Sequence, residues 1–162
     1  MLAMRLELNP SAATPADQLA FATYLGGNGV DTPAGLAVDG NGDIYVAGTF
    51  SRASGLSSPG LAKWNGSDWS NIGFAGAAFA LVSDGTNLYV GGTFTNAGGV
   101  LNTNIARYDG TNWYSMGGGI GYYNNLGSYV YVLELHNGLL YVGGIFTNAG
   151  TVAATNDPID FS

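Results

Sequence analysis

Leu88 to Val100 reads LYVGGTFTNAGGV, and Leu140 to Val152 repeats it almost letter for letter as LYVGGIFTNAGTV. A third, weaker copy, IYVAGTF, runs from Ile44 to Phe50. Tyr45, Tyr89 and Tyr141 mark one position in the three copies, at steps of 44 and 52 residues. Self-similarity at a period of this size is the signature of a repeat architecture, in which each unit buries its apolar faces only by stacking on its neighbours. The whole unit recurs and not only this phrase. Lys63-Trp64 and Arg107-Tyr108 lie 44 apart, as do Trp69 and Trp113.

Within one period the sequence reads as four short strands separated by turn signals. Gly35 to Val38 leads through Asp39-Gly40-Asn41-Gly42 to a return strand, Asp43 to Phe50, which together make a hairpin. Leu61 to Trp64 and Trp69 to Ile72 follow, split by Asn65-Gly66-Ser67-Asp68. Ala78 to Val82, Asn87 to Phe94, Asn104 to Tyr108 and Trp113 to Met116 repeat the cycle. Four strands per unit of this length define a propeller blade, so the expected class is all-β, a β-propeller of four-stranded blades.

A third cycle starts at Tyr129 to Leu135, turns at His136-Asn137-Gly138 and returns at Leu140 to Phe146. There the pattern fails: Asn156-Asp157-Pro158 stands where the second cycle has Asn104-Ile105-Ala106, and proline removes a ladder donor. At the other end, FATYLGGNG from Phe21 lines up with WYSMGGGIG from Trp113, and MRLEL from Met4 precedes it in the place of a third strand. The expected division is outer strands in 1–26, whole blades in 27–73 and 74–117, and inner strands in 118–162, three blade-equivalents in all. Known propellers use four to eight blades. The expectation is therefore that two half-blades are completed by strand exchange between chains, giving a six-bladed homodimer or, if the rotation does not close, an open filament. A fragment of a longer propeller is the third option.

Phe21 to Phe50, FATYLGGNGVDTPAGLAVDGNGDIYVAGTF, resembles the bacterial β-propeller repeat family called SBBP. Thr23 to Gly27, Asp31, Leu36 to Asp39, Gly42, Tyr45, Val46 and Gly48 carry the resemblance, and Asp43 stands where that family has Asn. The later phrase NIARYDGTNWYSMGGGI with LYVGGIFTNAG is similar to the propeller repeats of Rax2-like cell-surface polarity proteins. Together the two cover about residues 4 to 156. They imply secreted or surface-exposed proteins with scaffold or adhesion roles, and they bring no catalytic motif.

Charge narrows the partners. Four Lys and Arg against eleven Asp and Glu leave a net −7. No basic stripe is available to displace counterions from nucleic acid or to dock on anionic lipid. With no cysteine there is neither a disulfide nor a thiolate metal site. The opening MLAMRLELNPSAATP lacks the apolar run of a secretory signal, and no run of 18 apolar residues suggests membrane insertion.

Two groups of side chains are candidate sites. Trp64, Trp69, Tyr108, Trp113 and Tyr114 are the types that stack on sugar rings, although recurrence of Trp69 and Trp113 at one repeat position favours packing between blades. Asp39, Asn41 and Asp43 space oxygen ligands as calcium loops do, but no later carboxylate completes the set, which favours a plain hairpin turn and no cofactor. His136 is a lone imidazole in a turn, and Gly117-Gly118-Gly119-Ile120-Gly121 lacks the spacing of a phosphate loop. The scattered turn acids give no paired carboxylates in sequence. The expectation is a non-catalytic, self-associating structural or binding module at the cell surface or outside the cell. A carbohydrate-binding propeller is the second reading, and a hydrolase or lyase the third.

Overall fold

A computed structural model of the chain describes residues 3–5, 21–23, 31–121, 127–150 and 152–153. Among them every regular element is a β-strand. Strand β1 (Ala3–Arg5) pairs antiparallel with β2 (Phe21–Thr23). The first blade holds β3 (Pro33–Val38), β4 (Ile44–Gly48), a small hairpin of β5 (Arg52–Ala53) and β6 (Leu56–Ser57), then β7 (Leu61–Trp64) and β8 (Trp69–Ser70). The second repeats this as β9 (Ala77–Ser83), β10 (Leu88–Thr93), the small hairpin β11 (Asn96–Ala97) and β12 (Val100–Leu101), β13 (Ile105–Tyr108) and β14 (Trp113–Ser115). A linker strand, β15 (Ile120–Gly121), leads to β16 (Tyr129–His136), β17 (Leu139–Ile145), β18 (Asn148–Ala149) and β19 (Val152–Ala153).

The sheet orders are β3-β4-β7-β8 and β9-β10-β13-β14, two four-stranded antiparallel meanders, followed by the two-stranded β16-β17. Turn chemistry sets these hairpins. The Oδ1 of Asp39 accepts from the amides of Asn41 and Asp43, that of Asp84 from Thr86 and Asn87, and that of Asp109 from Thr111 and Asn112. Asn65 does the same for Ser67 and Asp68. An Asx side chain at the first turn position satisfies the amides that a tight reversal strands.

Packing explains the alternation along each strand. Leu88 and Val90 of β10 enter a core shared with Tyr45, Ala47 and Leu61 of the first blade, with Phe74 of the link and with Trp113. Tyr89, the residue between them, packs against a second core with Ile105 and, from the third blade, Val130, Leu133 and Leu140. The middle sheet therefore buries both faces, one against each neighbour. A third, smaller cluster of Val46, Phe50, Ala53 and Ala62 lies on the face of the first blade turned away from the second.

Three features were not foreseen. The small hairpins are the first. Phe74, in the link after β8, bridges Ala97 of β11, and β15, after β14, pairs with β18. In the second and third blades the hairpin thus clasps the link that enters it. The second is a bulge at one place in each innermost strand, where register shifts between Pro33 and Gly35, between Ala78 and Ala80, and between Val130 and Val132. Ala34, Phe79 and Tyr131 are the extra residues. The third is the inclusion of Ala3 in the first strand, one residue before the expected Met4 to Leu8; residues 6–8 and the break at Asn156 to Pro158 lie outside the described residues.

The bulge accounts for a glycine in each copy of the repeated phrase. A Cβ on Gly48, Gly92 or Gly144 would collide with the carbonyl oxygen of Thr32, Ala77 or Tyr129, backbone just before or at the start of the same blade's innermost strand. The preceding position varies with its neighbour. A Cβ on Gly91 would run into Val130, whereas the first boundary has Ala47 and Ala78 at the equivalent places. The two boundaries fill the same space with Gly and Val or with Ala and Ala. Gly91→Ala is expected to cost about 1–3 kcal/mol by overpacking. Adding Val130→Ala should recover part of that loss in urea unfolding; no recovery would contradict the assigned contact.

Candidate functional site

One polar arrangement recurs at the turns. The Tyr45 hydroxyl donates to Asp39 Oδ2 at 3.1 Å, Tyr89 to Asp84 at 3.1 Å and Tyr114 to Asp109 at 2.8 Å. Each carboxylate holds its own turn with one oxygen and ties down the following strand with the other. Burial and then the Asp39 hydrogen bond push the Tyr45 phenol well above its ordinary range. Amide bonds from Asn112 and the Tyr114 hydroxyl hold Asp109 down to about 2. At Asp84 burial opposes ionisation, but bonds from Asn87, Thr86 and Tyr89 outweigh it and lower the pKa. In the third blade His136 takes the place of Asp84, and its ring meets Tyr141 edge-on at 6.4 Å.

Of the oxygen triad read from sequence as a calcium candidate, the Asp39 and Asp43 carboxylates are engaged in protein contacts. Asp39 accepts from two amides and a tyrosine, and Asp43 forms an ion pair with Lys63, whose ammonium also sits 5.6 Å from the centre of the Tyr45 ring. Asn41 contributes its backbone amide to the turn. Among the described residues no three acidic or histidine side chains converge as metal ligands would.

The five candidate aromatic residues separate. Tyr108 and Trp113 are each 7% exposed and pack together at 4.9 Å inside the first interblade core. The Trp113 indole donates to the Ile72 carbonyl of the preceding link at 2.7 Å, and a Cβ on Gly98 would strike its ring. These two rings are packing residues, and neither offers a face to a sugar. Tyr114 is exposed on the outer strand, with the Arg107 guanidinium 4.3 Å over its ring. Trp64 and Trp69, 5.5 Å apart, line an open cleft of about 380 Å³ with Ala53, Ser54, Leu56, Ser67 and Asp68. Trp69 and Trp113 share a repeat position but not an environment, because the second indole is sealed by the blade before it.

Sequence reasoning missed two further groups. Phe79 and Tyr131, the bulge residues of adjacent blades, stack at 5.6 Å, and Tyr129 stacks on Tyr131 at 5.7 Å. Asn104 is 5% exposed and has a left-handed backbone with φ of 63°. Its side chain accepts from the Phe94 amide and donates to the Ile120 carbonyl and to Ser128, so it ties the second blade to the link into the third. The equivalent position in the first blade is Gly60, also at positive φ. A period of 44 with Gly and Asn alternating at one place was the available signal, since both residues tolerate that conformation.

Comparison with known families agrees with this geometry. Residues 20–49 match the SBBP β-propeller repeat, and residues 83–111 match a β-propeller domain of unknown function, DUF5122. The first match spans the end of the β1–β2 pair and the first hairpin; the second runs from the turn before β10 to the turn after β13. Both matched segments are β-propeller repeats, and the two described four-stranded blades contain most of them. No curated protein matches it.

Acid should reveal the turn network. Asp84 and Asp109 have folded pKa values below the ordinary 3.8, so their stabilising effect is complete above that value and is lost as pH falls through the lowered values, about 2 for Asp109. Asp84→Asn and Asp109→Asn together should lower the melting temperature at pH 7 and flatten its fall below pH 4. An unchanged acid profile would contradict the role given to these carboxylates.

Proposed function

We propose that this protein is a non-catalytic structural and binding module that self-associates through exchanged strands, within an assembly at the cell surface or outside the cell. One observation carries the reading. Two complete four-stranded blades are flanked by a two-stranded β16-β17 and a separate two-stranded β1-β2. Among the described strands neither pair is completed, and β1-β2 has no hydrogen-bonded neighbour strand. An open sheet edge recruits another strand, by main-chain hydrogen bonds with side chains seated in turn. Two copies would complete six blades, and a rotation that does not close would give a filament. The turn carboxylates support the non-catalytic reading, since Asp39, Asp84 and Asp109 spend both oxygens on their own hairpins.

The Trp64–Trp69 cleft favours one second reading. Two indoles beside Ser54, Ser67 and Asp68 combine apolar ring faces with hydrogen-bonding groups, the composition of a sugar-binding site.

Light scattering on the purified chain tests the first reading, with an expected mass of two or more copies. A stable, folded monomer at all concentrations would overturn it. A glycan array read with the parent and with Trp69→Ala tests the second. Signal that disappears in the variant would support it, and a blank array would count against it.

A further inference from the structure

The proposal of strand exchange leaves open which residues meet. We infer that the outer edge of β17 is completed by β1 of a second copy in one register, Leu140 opposite Arg5, Tyr141 opposite Met4 and Val142 opposite Ala3. This rests on the self-association reading and goes beyond it.

The register follows from three strand pairs that match. In the second blade Tyr108 lies opposite Trp113, Arg107 opposite Tyr114 and Ala106 opposite Ser115. In the first, Trp64 lies opposite Trp69 and Lys63 opposite Ser70. In the isolated pair, Arg5 lies opposite Phe21, Met4 opposite Ala22 and Ala3 opposite Thr23. Phe21 lines up with Trp113 in sequence, so Arg5 takes the place of Tyr108, Met4 that of Arg107 and Ala3 that of Ala106. Leu2-Ala3 then falls on Ile105-Ala106 and Leu61-Ala62, a large apolar residue followed by alanine each time. All four of those blade residues are fully buried. The second-to-third strand pairing is also the same in both complete blades. Leu88 faces Tyr108, Tyr89 faces Arg107 and Val90 faces Ala106, just as Ile44 faces Trp64, Tyr45 faces Lys63 and Val46 faces Ala62. Carrying that pairing to β17 gives the stated register.

The chain's own continuation is the poorer candidate. The 52-residue step puts Asp157 where Leu61 and Ile105 are fully buried, and Pro158 where Ala106 lies opposite Val90. A carboxylate there would lose its water, and proline has no amide to give the ladder.

Two exposed faces say the completing strand comes from another copy. A link runs from β2 into β3, as others run from β8 into β9 and from β14 into β16. A copy whose β1 and β2 finish the third blade of its neighbour therefore lays its own first blade on that blade's open face. The open face carries Val132, Tyr141 and Ile145, at 60%, 38% and 50% exposure; the arriving one carries Leu36 and Val38, at 52% and 50%. The equivalent faces inside the chain are the two interblade cores. Closing the same contact among the blades of residues 1–162 alone would make a ring of three, below the range that propellers use.

The chain has no cysteine, so engineered thiols report cleanly. Residues directly opposite across an antiparallel pair fall within disulfide reach, and a one-residue slip turns one of them to the other face. Single variants Met4→Cys and Tyr141→Cys are mixed in equal amounts and oxidised with diamide. The expected product is a covalent dimer joining one of each, formed at least tenfold more than with Leu140→Cys in place of Tyr141→Cys. Equal yield from the slipped pair would overturn the register. A Met4→Cys/Tyr141→Cys double variant that closes its disulfide within a single copy would overturn the second copy as the source. Assembly by light scattering without the in-register disulfide, the variants melting as the parent does, would sink this inference and leave self-association standing. A folded monomer would sink both.

Discussion

Face-to-face packing of blades is the constraint on which the rest depends. A four-stranded sheet with apolar residues on both faces has no stable existence alone, and burying those faces supplies most of the driving force. β10 shows the arrangement in one strand: Leu88 and Val90 belong to one boundary and Tyr89 to the next. The bulges follow from it, because an inserted residue lets an innermost strand curve while its backbone closes on Gly48, Gly92 or Gly144. So does the change from Ala47 and Ala78 to Gly91 and Val130, which moves side-chain volume at the boundary from one sheet to the other. On the outward faces at the two ends of the described stack, Leu36 and Val38 of the first blade and Val132, Tyr141 and Ile145 of the third stay exposed.

The repeated phrase can now be read residue by residue. Its Tyr and Val line two boundaries, its second glycine admits the neighbouring strand, and its Phe caps a core. Its Asn-Ala-Gly forms the hairpin that clasps the incoming link. That link supplies the Ile72 carbonyl which fixes Trp113. A phrase that looks like one motif is four contacts with four different partners, and this explains why it recurs intact while the strands beyond it drift.

Much of the architecture was legible because it is local. Hairpins at Asp39, Asp84 and Asp109 announce themselves through turn chemistry, and the period fixes how many times the unit occurs. What escaped depends on distant partners. Two-residue strands such as β5 and β11 are too short to show alternation, and an inserted Phe79 or Tyr131 looks like the next residue of a continuous strand. Trp69 and Trp113 cannot be told apart by sequence, since only the preceding blade decides which indole is sealed. The start of β1 slipped for a related reason: MRLEL alternates well enough to suggest a strand, yet Leu2-Ala3 is what matches Ile105-Ala106 once the β1–β2 register is seen. For the candidate sites, residue type alone does not sort the aromatics: burial puts Tyr108 and Trp113 inside a core, whereas Trp64 and Trp69 are half-buried and line a cleft.

The account therefore turns on the outer edge of β17. In the complete blades the amides of Gly48 and Gly92 donate outward to Gly60 and Asn104, so the equivalent donors of the third blade are Gly144 and, two and four residues back, Val142 and Leu140. Amide hydrogen exchange at these three positions, followed as protein concentration is raised, is the most direct measurement. Slow exchange that appears only as copies associate is the result this account requires. Equally slow exchange at high dilution, where single copies prevail, would mean that one chain satisfies the edge unaided and would contradict it.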